Sequence, residues 1–265
     1  LLLIGAYQLH NTKIPPYAVV SESVKAVRHI GKEWAAGLVN AVLKKAIREI
    51  KPKSPEAQYD MPDWLLHAWE SNYPNEWGRI AEASNRKAPM TLRANVSKIS
   101  RKELMKNLKL AGISARAGSS PNSIVLGNAQ PSASIPGFKS GLFSIQDEAS
   151  QWAAELLSPE IDARTLDACA APGIKSSQIL ERNPNQKLTS IDISANNLSF
   201  SLAERRRLGV TSQILPGDAT KLDWWDGKPY DCILVDAPCS GTGTIRRNPD
   251  IKLHQNEQNI DRIAQ

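Results

Sequence analysis

The sequence predicts an α/β chain: a doubly wound domain built on a parallel sheet, preceded by a small α+β module and a helical segment. Three observations carry this. From about residue 142 onward, short apolar runs alternate with helix-length segments, as repeated βα units do. Acidic and small residues gather just after those runs, where open α/β sheets bind their ligands. Upstream, Lys51-Pro52-Lys53-Ser54-Pro55 reads as a linker between two differently patterned stretches. The expected regions are therefore 1–52, 56–141 and 142–265.

In the first region apolar residues recur at helical spacing, as in Val20, Val24 and Val27 and then Leu38, Val42 and Ile47. Pro15-Pro16 separates the first helix from the second. Lys44, Lys45 and Arg48 crowd the end of the last, where cations suit the helix dipole. In the second region Asp63, after Pro62, is placed to cap a helix starting at Trp64-Leu65-Leu66. Met90 to Val96 reads as a strand. Ser100 and Glu103 form a capping-box pair for a helix carrying Leu104, Leu108 and Leu110. Ser123-Ile124-Val125-Leu126 reads as a returning strand. Arg93, Lys98, Arg101, Lys102, Lys106, Lys109 and Arg116 make this module basic; Lys106 and Lys109 fit a solvated helix face, whereas Arg93 and Lys98, beside the strand, are candidate RNA contacts.

The third region begins near Ser144-Ile145-Gln146-Asp147. Its strands are Thr165-Leu166-Asp167-Ala168, then Leu188 to Asp192, Gln213-Ile214-Leu215, and Cys232 to Asp236, the last apolar enough to be buried on both faces. One helix follows Gly173, and Ser194 caps another that reaches Leu208-Gly209.

The 265 residues leave room for two domains, or one with attachments. The chain opens on Leu1 and stops inside a polar run at Gln265, so both ends are expected to be truncations. No stretch approaches the roughly 20 apolar residues of a membrane span, and Leu1 to Ala6 lacks the basic lead and cleavage site of a signal peptide. The three cysteines, Cys169, Cys232 and Cys239, are too few for a disulfide scaffold and lie away from the histidines, so no metal site is expected. This points to a reducing cytoplasm, with a monomer as the default. The formal charge of +6 raises the prospect of a polyanionic partner without requiring one.

The chemistry gathers at the strand ends. Asp167-Ala168-Cys169-Ala170-Ala171-Pro172-Gly173-Ile174-Lys175 offers small side chains for close backbone approach and a helix start with free amide groups. Its single glycine argues against a dinucleotide pyrophosphate and for a smaller, less anionic ligand. Asp192, about 20 residues on, can bond both hydroxyls of a ribose. Asp218, in Gly217-Asp218-Ala219, can reach an adenine amino group. Either carboxylate could instead be a helix cap, although two at successive strand ends weaken that reading. The fourth strand runs into Asp236-Ala237-Pro238-Cys239-Ser240-Gly241-Thr242-Gly243, which sets Cys239 at the site edge; Cys232 reads as inert core.

Together with Arg246-Arg247-Asn248-Pro249-Asp250-Ile251-Lys252, these two stretches resemble the RsmB/Sun/Nop family of RNA cytosine-5 methyltransferases. Gln146-Asp147-Glu148-Ala149-Ser150 and Leu92-Arg93-Ala94-Asn95 are similar to that family's RNA-binding lead-in. Residues 1–50, with Ile14-Pro15-Pro16 and Gly37-Leu38-Val39-Asn40, resemble the last helices of the NusB-like domain of its bacterial small-subunit rRNA branch. The resemblance implies a Rossmann-like domain using S-adenosyl-L-methionine, bound by Cys169, Ala170, Ala171, Pro172, Gly173, Ile174, Lys175, Asp192, Asp218 and Asp236. It implies a catalytic pair in Cys239 and Asp236, and RNA contacts that include Arg246 and Arg247.

The implied reaction needs a thiolate to add to carbon 6 of cytosine, because carbon 5 is otherwise too poor a nucleophile to accept a methyl group. Two departures from the family pattern stand out. Ile174 occupies the place of a usual second glycine. The family's nucleophile lies in a later Thr-Cys-Ser motif, with Cys239 assisting product release, and no Thr-Cys-Ser occurs here. This chain alone is thus expected to be catalytically crippled. The competing expectation is that Cys239 itself attacks, with Arg246 and Arg247 favouring its thiolate. A non-enzymatic RNA-binding factor is the alternative from another class.

Overall fold

The computed structural model describes residues 1–49 and 54–264, so the linker residues Lys51-Pro52-Lys53 lie outside the described residues, as does the side chain of Arg48. Contacts divide the chain into two compact units, Leu1–Asn85 and Arg86–Gln265.

The first unit is helical: α1 (Leu2–Asn11), α2 (Pro16–His29), α3 (Ala36–Glu49), α4 (Pro55–Tyr59), α5 (Asp63–Asn72) and α6 (Trp77–Asn85). Pro16 sits in the first turn of α2, where its missing N–H costs nothing. Val20, Val27, Ala36, Val39 and Leu43 form a buried cluster. The helically spaced Leu38, Val42 and Ile47 lie on the exposed side of α3, and Val39, Leu43 and Ala46 point inward. Two apolar stripes one residue apart both satisfy a 3.6-residue period, and packing against α1 and α2 selects between them. Asp63 is the first residue of α5 and Pro62 its cap, so the expected side-chain cap is absent. The helices α4 to α6, expected to lead the middle module, belong to this unit.

The second unit holds two sheets. The first is antiparallel, in the order β2-β3-β1-β4, from β1 (Thr91–Ala94), β2 (Ala115–Ala117), β3 (Ser123–Leu126) and β4 (Phe143–Ile145). Leu92 stands opposite Ile124 on one side and Ile145 on the other. Thus β4, expected to open the third region, is an edge strand of this module; three residues are too few for periodicity to name a partner. Over the sheet lies α7 (Arg101–Leu110), closed by the expected Ser100–Glu103 capping box. Its Leu104 and Leu108 join Leu92, Ile124 and Phe143 in the core, while Leu110 is exposed.

The second sheet is parallel, in the order β7-β6-β5-β8, from β5 (Arg164–Ala168), β6 (Lys187–Asp192), β7 (Gln213–Pro216) and β8 (Cys232–Val235). Helices α8 (Glu148–Leu157), α9 (Ile174–Arg182) and α10 (Ala195–Leu208) accompany it, and α11 (Ile251–His254) and α12 (Glu257–Ala264) follow. The expected double burial of β8 is corrected: Ile233 is 53% and Val235 63% exposed. Among the described strands β8 pairs with β5 alone, which leaves it at an edge.

Polar side chains join the two sheets. Asn95 donates to the carbonyls of Gly141 (2.9 Å) and Leu208 (3.1 Å). Arg207 donates to Phe143 O (3.0 Å) and lies over the Phe138 ring at 4.3 Å. No described helix is long and apolar enough to cross a membrane.

Candidate active site

The donor-loop candidate spans β5 and α9 because three local features shape it. Cys169 takes φ +60° and Gly173 φ +91°, the second a conformation that glycine adopts without a Cβ clash. Ala170 N–H donates to Ile191 O (2.9 Å), and Ala171 N–H donates to the Asp192 carboxylate (3.0 Å). The other Asp192 oxygen accepts from Ser194 N–H at 2.9 Å. Asp192 therefore pins the loop to the end of β6.

A cavity of about 190 Å³ opens beside this loop. Of the donor-site candidates, Cys169, Ala170, Ala171, Pro172, Ile174, Lys175 and Asp236 line it and Gly173, Asp192 and Asp218 do not; Asp167, Gln146, Asp147 and Arg247 line it as well. Two ion pairs stand on its wall, Lys175 with Asp236 and Arg247 with Asp147. Asp236, at the end of β8, keeps 54% of its side chain exposed despite the pair.

Asp167 was not among the candidates, although it heads the motif. It is 1% exposed, and burial pushes its carboxyl up from 3.8 to about 6, against the pull of the Ser176 hydroxyl and Arg205. One carboxylate oxygen accepts from Ser176, whose hydroxyl meets Ser190 at 2.9 Å, which in turn accepts from Arg205 at 2.8 Å. The other oxygen, Oδ1, is buried without a protein partner. Burial likewise lowers the Arg205 guanidinium to about 10, which leaves it charged at neutral pH. Nothing in an aspartate at the start of a turn distinguishes this burial from an exposed cap; the relay involves Ser190 and Arg205, distant in sequence.

The remaining candidates fall elsewhere. Asp218 caps its own turn, accepting from Thr220 N–H (2.9 Å) and Oγ1 (2.7 Å); those hydrogen bonds hold its carboxyl below the usual range. Burial and then the carboxylates Asp192, Asp167, Asp236 and Asp218 push the Cys169 thiol up, which makes it a poor nucleophile. Cys239 is exposed and free, and does not line the cavity. Arg247 is committed to Asp147, and Arg246 Nε donates to Arg86 O at 3.2 Å.

One expected RNA contact is corrected. Arg93 is 1% exposed and bonded to Glu181, so it cannot reach RNA; its strand lies inside the sheet, between β3 and β4. Lys98, though exposed, donates to the carbonyls of Ser140 (2.9 Å) and Arg207 (3.3 Å), satisfying the end of α10.

Residues 154–265 match the family described as 16S rRNA methyltransferase RsmB/F, residues 61–133 the ferredoxin-like domain of RsmF/B-like methyltransferases, and residues 1–48 the NusB family. The chain is 40% identical over 269 residues to ribosomal RNA small subunit methyltransferase B of Shewanella oneidensis, covering 100% of this chain and 63% of that protein. It is 40% identical over 273 residues to the protein so named in Pseudomonas syringae pv. tomato, covering 100% of this chain and 61% of that one. The chain thus spans less than two thirds of the length of these relatives. Two solved structures share the fold. NSun6 from Pyrococcus horikoshii with SFG has a TM-score of 0.67 at 19% identity, covering 77% of this chain and 76% of that one. A methyltransferase homolog protein from the same organism scores 0.64 at 23%, covering 78% and 68%.

Proposed function

The chain belongs to the RsmB/F methyltransferase family, and from that premise we propose that it serves methyl transfer from S-adenosyl-L-methionine to carbon 5 of a cytosine in RNA, with small-subunit ribosomal RNA as substrate and the cytoplasm as its place. The observation that carries this reading is the cavity at the carboxyl ends of β5 and β8, with a buried, unpartnered Asp167 oxygen in its wall.

The residues present suit the donor. Ala170 and Ala171 let the backbone approach a ligand, and Cys169 to Lys175 lead into the free amide groups that open α9. The carboxylates Asp167, Asp192 and Asp236, on three adjacent strands, match a cationic ligand bearing ribose hydroxyls. Asp192 would hold the ribose, Asp218 the adenine side, and Asp236 the methionine side and target base. Bound there, S-adenosyl-L-methionine supplies an electrophilic methyl group.

The protein's part is to prepare the base. A cysteine thiolate forms a bond to carbon 6, and the electrons of the C5–C6 double bond move to carbon 5, which would take the methyl as the S–CH3 bond breaks and the donor leaves as its neutral thioether. A base then takes the carbon-5 proton, the double bond re-forms, and the thiolate leaves. Asp236, held by Lys175, faces the cytosine edge and stabilises the charged adduct. Cys239 is the exposed cysteine of this chain and acts at the adduct, in attack or in release. The target base must be unstacked for either.

Transfer of labelled methyl to unmodified small-subunit rRNA by the chain tests the reading. Incorporation at a cytosine makes Cys239 the leading nucleophile. Donor binding without incorporation points to another thiol, and RNA binding without donor affinity favours a non-enzymatic RNA factor. A Cys239→Ser change then separates the roles, since persistent RNA adducts mark release and loss of every adduct marks attack.

A further inference from the structure

Arg93 lies on β1 of the antiparallel sheet, yet three of its five hydrogen bonds reach across to α9 of the parallel-sheet half. All five of its N–H groups have acceptors. Nε donates to Glu181 Oε2 at 3.0 Å and Nη2 to Glu181 Oε1 at 2.8 Å, the bidentate fork that arginine alone can make. Nη1 donates to the Ile174 carbonyl at 3.1 Å and to the Gln146 side chain. Nη2 also reaches Ser144 Oγ at 3.4 Å.

These partners are not scattered. Ile174 is the first residue of α9 and Glu181 stands two turns further on, its side chain leaning back toward the helix start. One planar cation therefore holds α9 at two points and sets its position along its axis. The donor loop hangs between β5 and α9, so the axial position of α9 decides where the loop's amide groups sit. Gln146, the third partner, also lines the cavity, next to Asp147, which Arg247 holds. Two residues that line the cavity, Ile174 and Gln146, thus share one buried guanidinium.

We propose that Arg93 is a positioning residue for the donor loop: from the antiparallel sheet it fixes α9 and Gln146, and so the width of the cavity that takes S-adenosyl-L-methionine. This rests on the donor reading given above. A purely structural ion pair would need only Glu181; the additional bonds to a loop carbonyl and to a cavity-lining amide are what tie it to the ligand.

The test compares the wild-type chain with two variants. Arg93→Lys keeps a charge for Glu181 but cannot span Glu181, Ile174 and Gln146 together. Arg93→Met combined with Glu181→Leu removes both charges, because deleting one alone would strand a buried ion. Titration calorimetry with S-adenosyl-L-methionine, thermal unfolding without it, and RNA affinity are measured on all three. The expected result is donor binding about tenfold weaker in both folded variants, the loss that one or two bonds to the site bring, with RNA affinity unchanged. In a steady-state assay of any variant that turns over, the KM for donor rises and that for RNA does not. Faster amide exchange at residues 169–175 in either variant supports the same conclusion. Folded variants with wild-type donor affinity overturn this inference alone. A wild-type chain that does not bind the donor overturns the donor reading and this inference together.

Discussion

Replacing Asp167 by asparagine should raise stability relative to the wild type by more at high pH than at low. The carboxyl titrates at about 6 in the folded chain and near 3.8 when unfolded, because burial disfavours its charged form. The folded state therefore holds a proton that the unfolded state has released. The sign follows: the penalty is absent below the unfolded value, grows as pH rises from there, and is complete above about pH 6. A shift of this size corresponds to about 3 kcal/mol at pH 8, with about half of it already present at pH 5. Asparagine carries no titrating charge and keeps an oxygen for Ser176, although its amide costs ~1 kcal/mol if left unpaired in the cavity. That cost is independent of pH and cancels when two pH values are compared. Urea unfolding of both proteins at pH 5 and pH 8 should thus show Asp167→Asn gaining about 1.5 kcal/mol on the wild type between the two. Parallel stability curves would refute the reasoning, and with it the picture of a desolvated carboxylate facing the cavity.

Three further outcomes are expected. Ser100→Ala removes the hydroxyl that accepts from Glu103 N–H at 3.2 Å and should cost about 1 kcal/mol in chemical denaturation. Gly141 has φ +67°, and a Cβ there would collide with the Arg207 carbonyl; Gly141→Ala should destabilise by about 3 kcal/mol or more, while a surface Gly112→Ala with free space around it costs about 1 kcal/mol from its positive φ. Asp236→Asn should leave the unfolding midpoint almost unchanged, since an exposed pair contributes about 1 kcal/mol or less, yet lower methyl transfer by on the order of a hundredfold in a single-turnover assay.

What the order of residues determined by itself was local. The Ser100–Glu103 box, the Ser123–Leu126 strand and the βα alternation from Arg164 to Pro216 are readable because each depends on neighbours within a few positions. The loop from Cys169 to Lys175 and Asp236 were legible for the same reason: they follow strand ends, and a parallel sheet brings its strand ends to one edge. Tertiary structure alone decided the rest. Whether Leu38 or Val39 faces inward depends on which neighbouring helices cover α3. Whether β8 is buried depends on what pairs beside it. Arg93 looks like any basic residue next to a strand until Glu181, 88 positions later, neutralises it. Asp167 looks like an ordinary turn carboxylate until Ser190 and Arg205 close around it. The physical reason is common to all four: burial is set by partners distant in sequence, and burial decides whether a charge meets water, a ligand or an opposite charge.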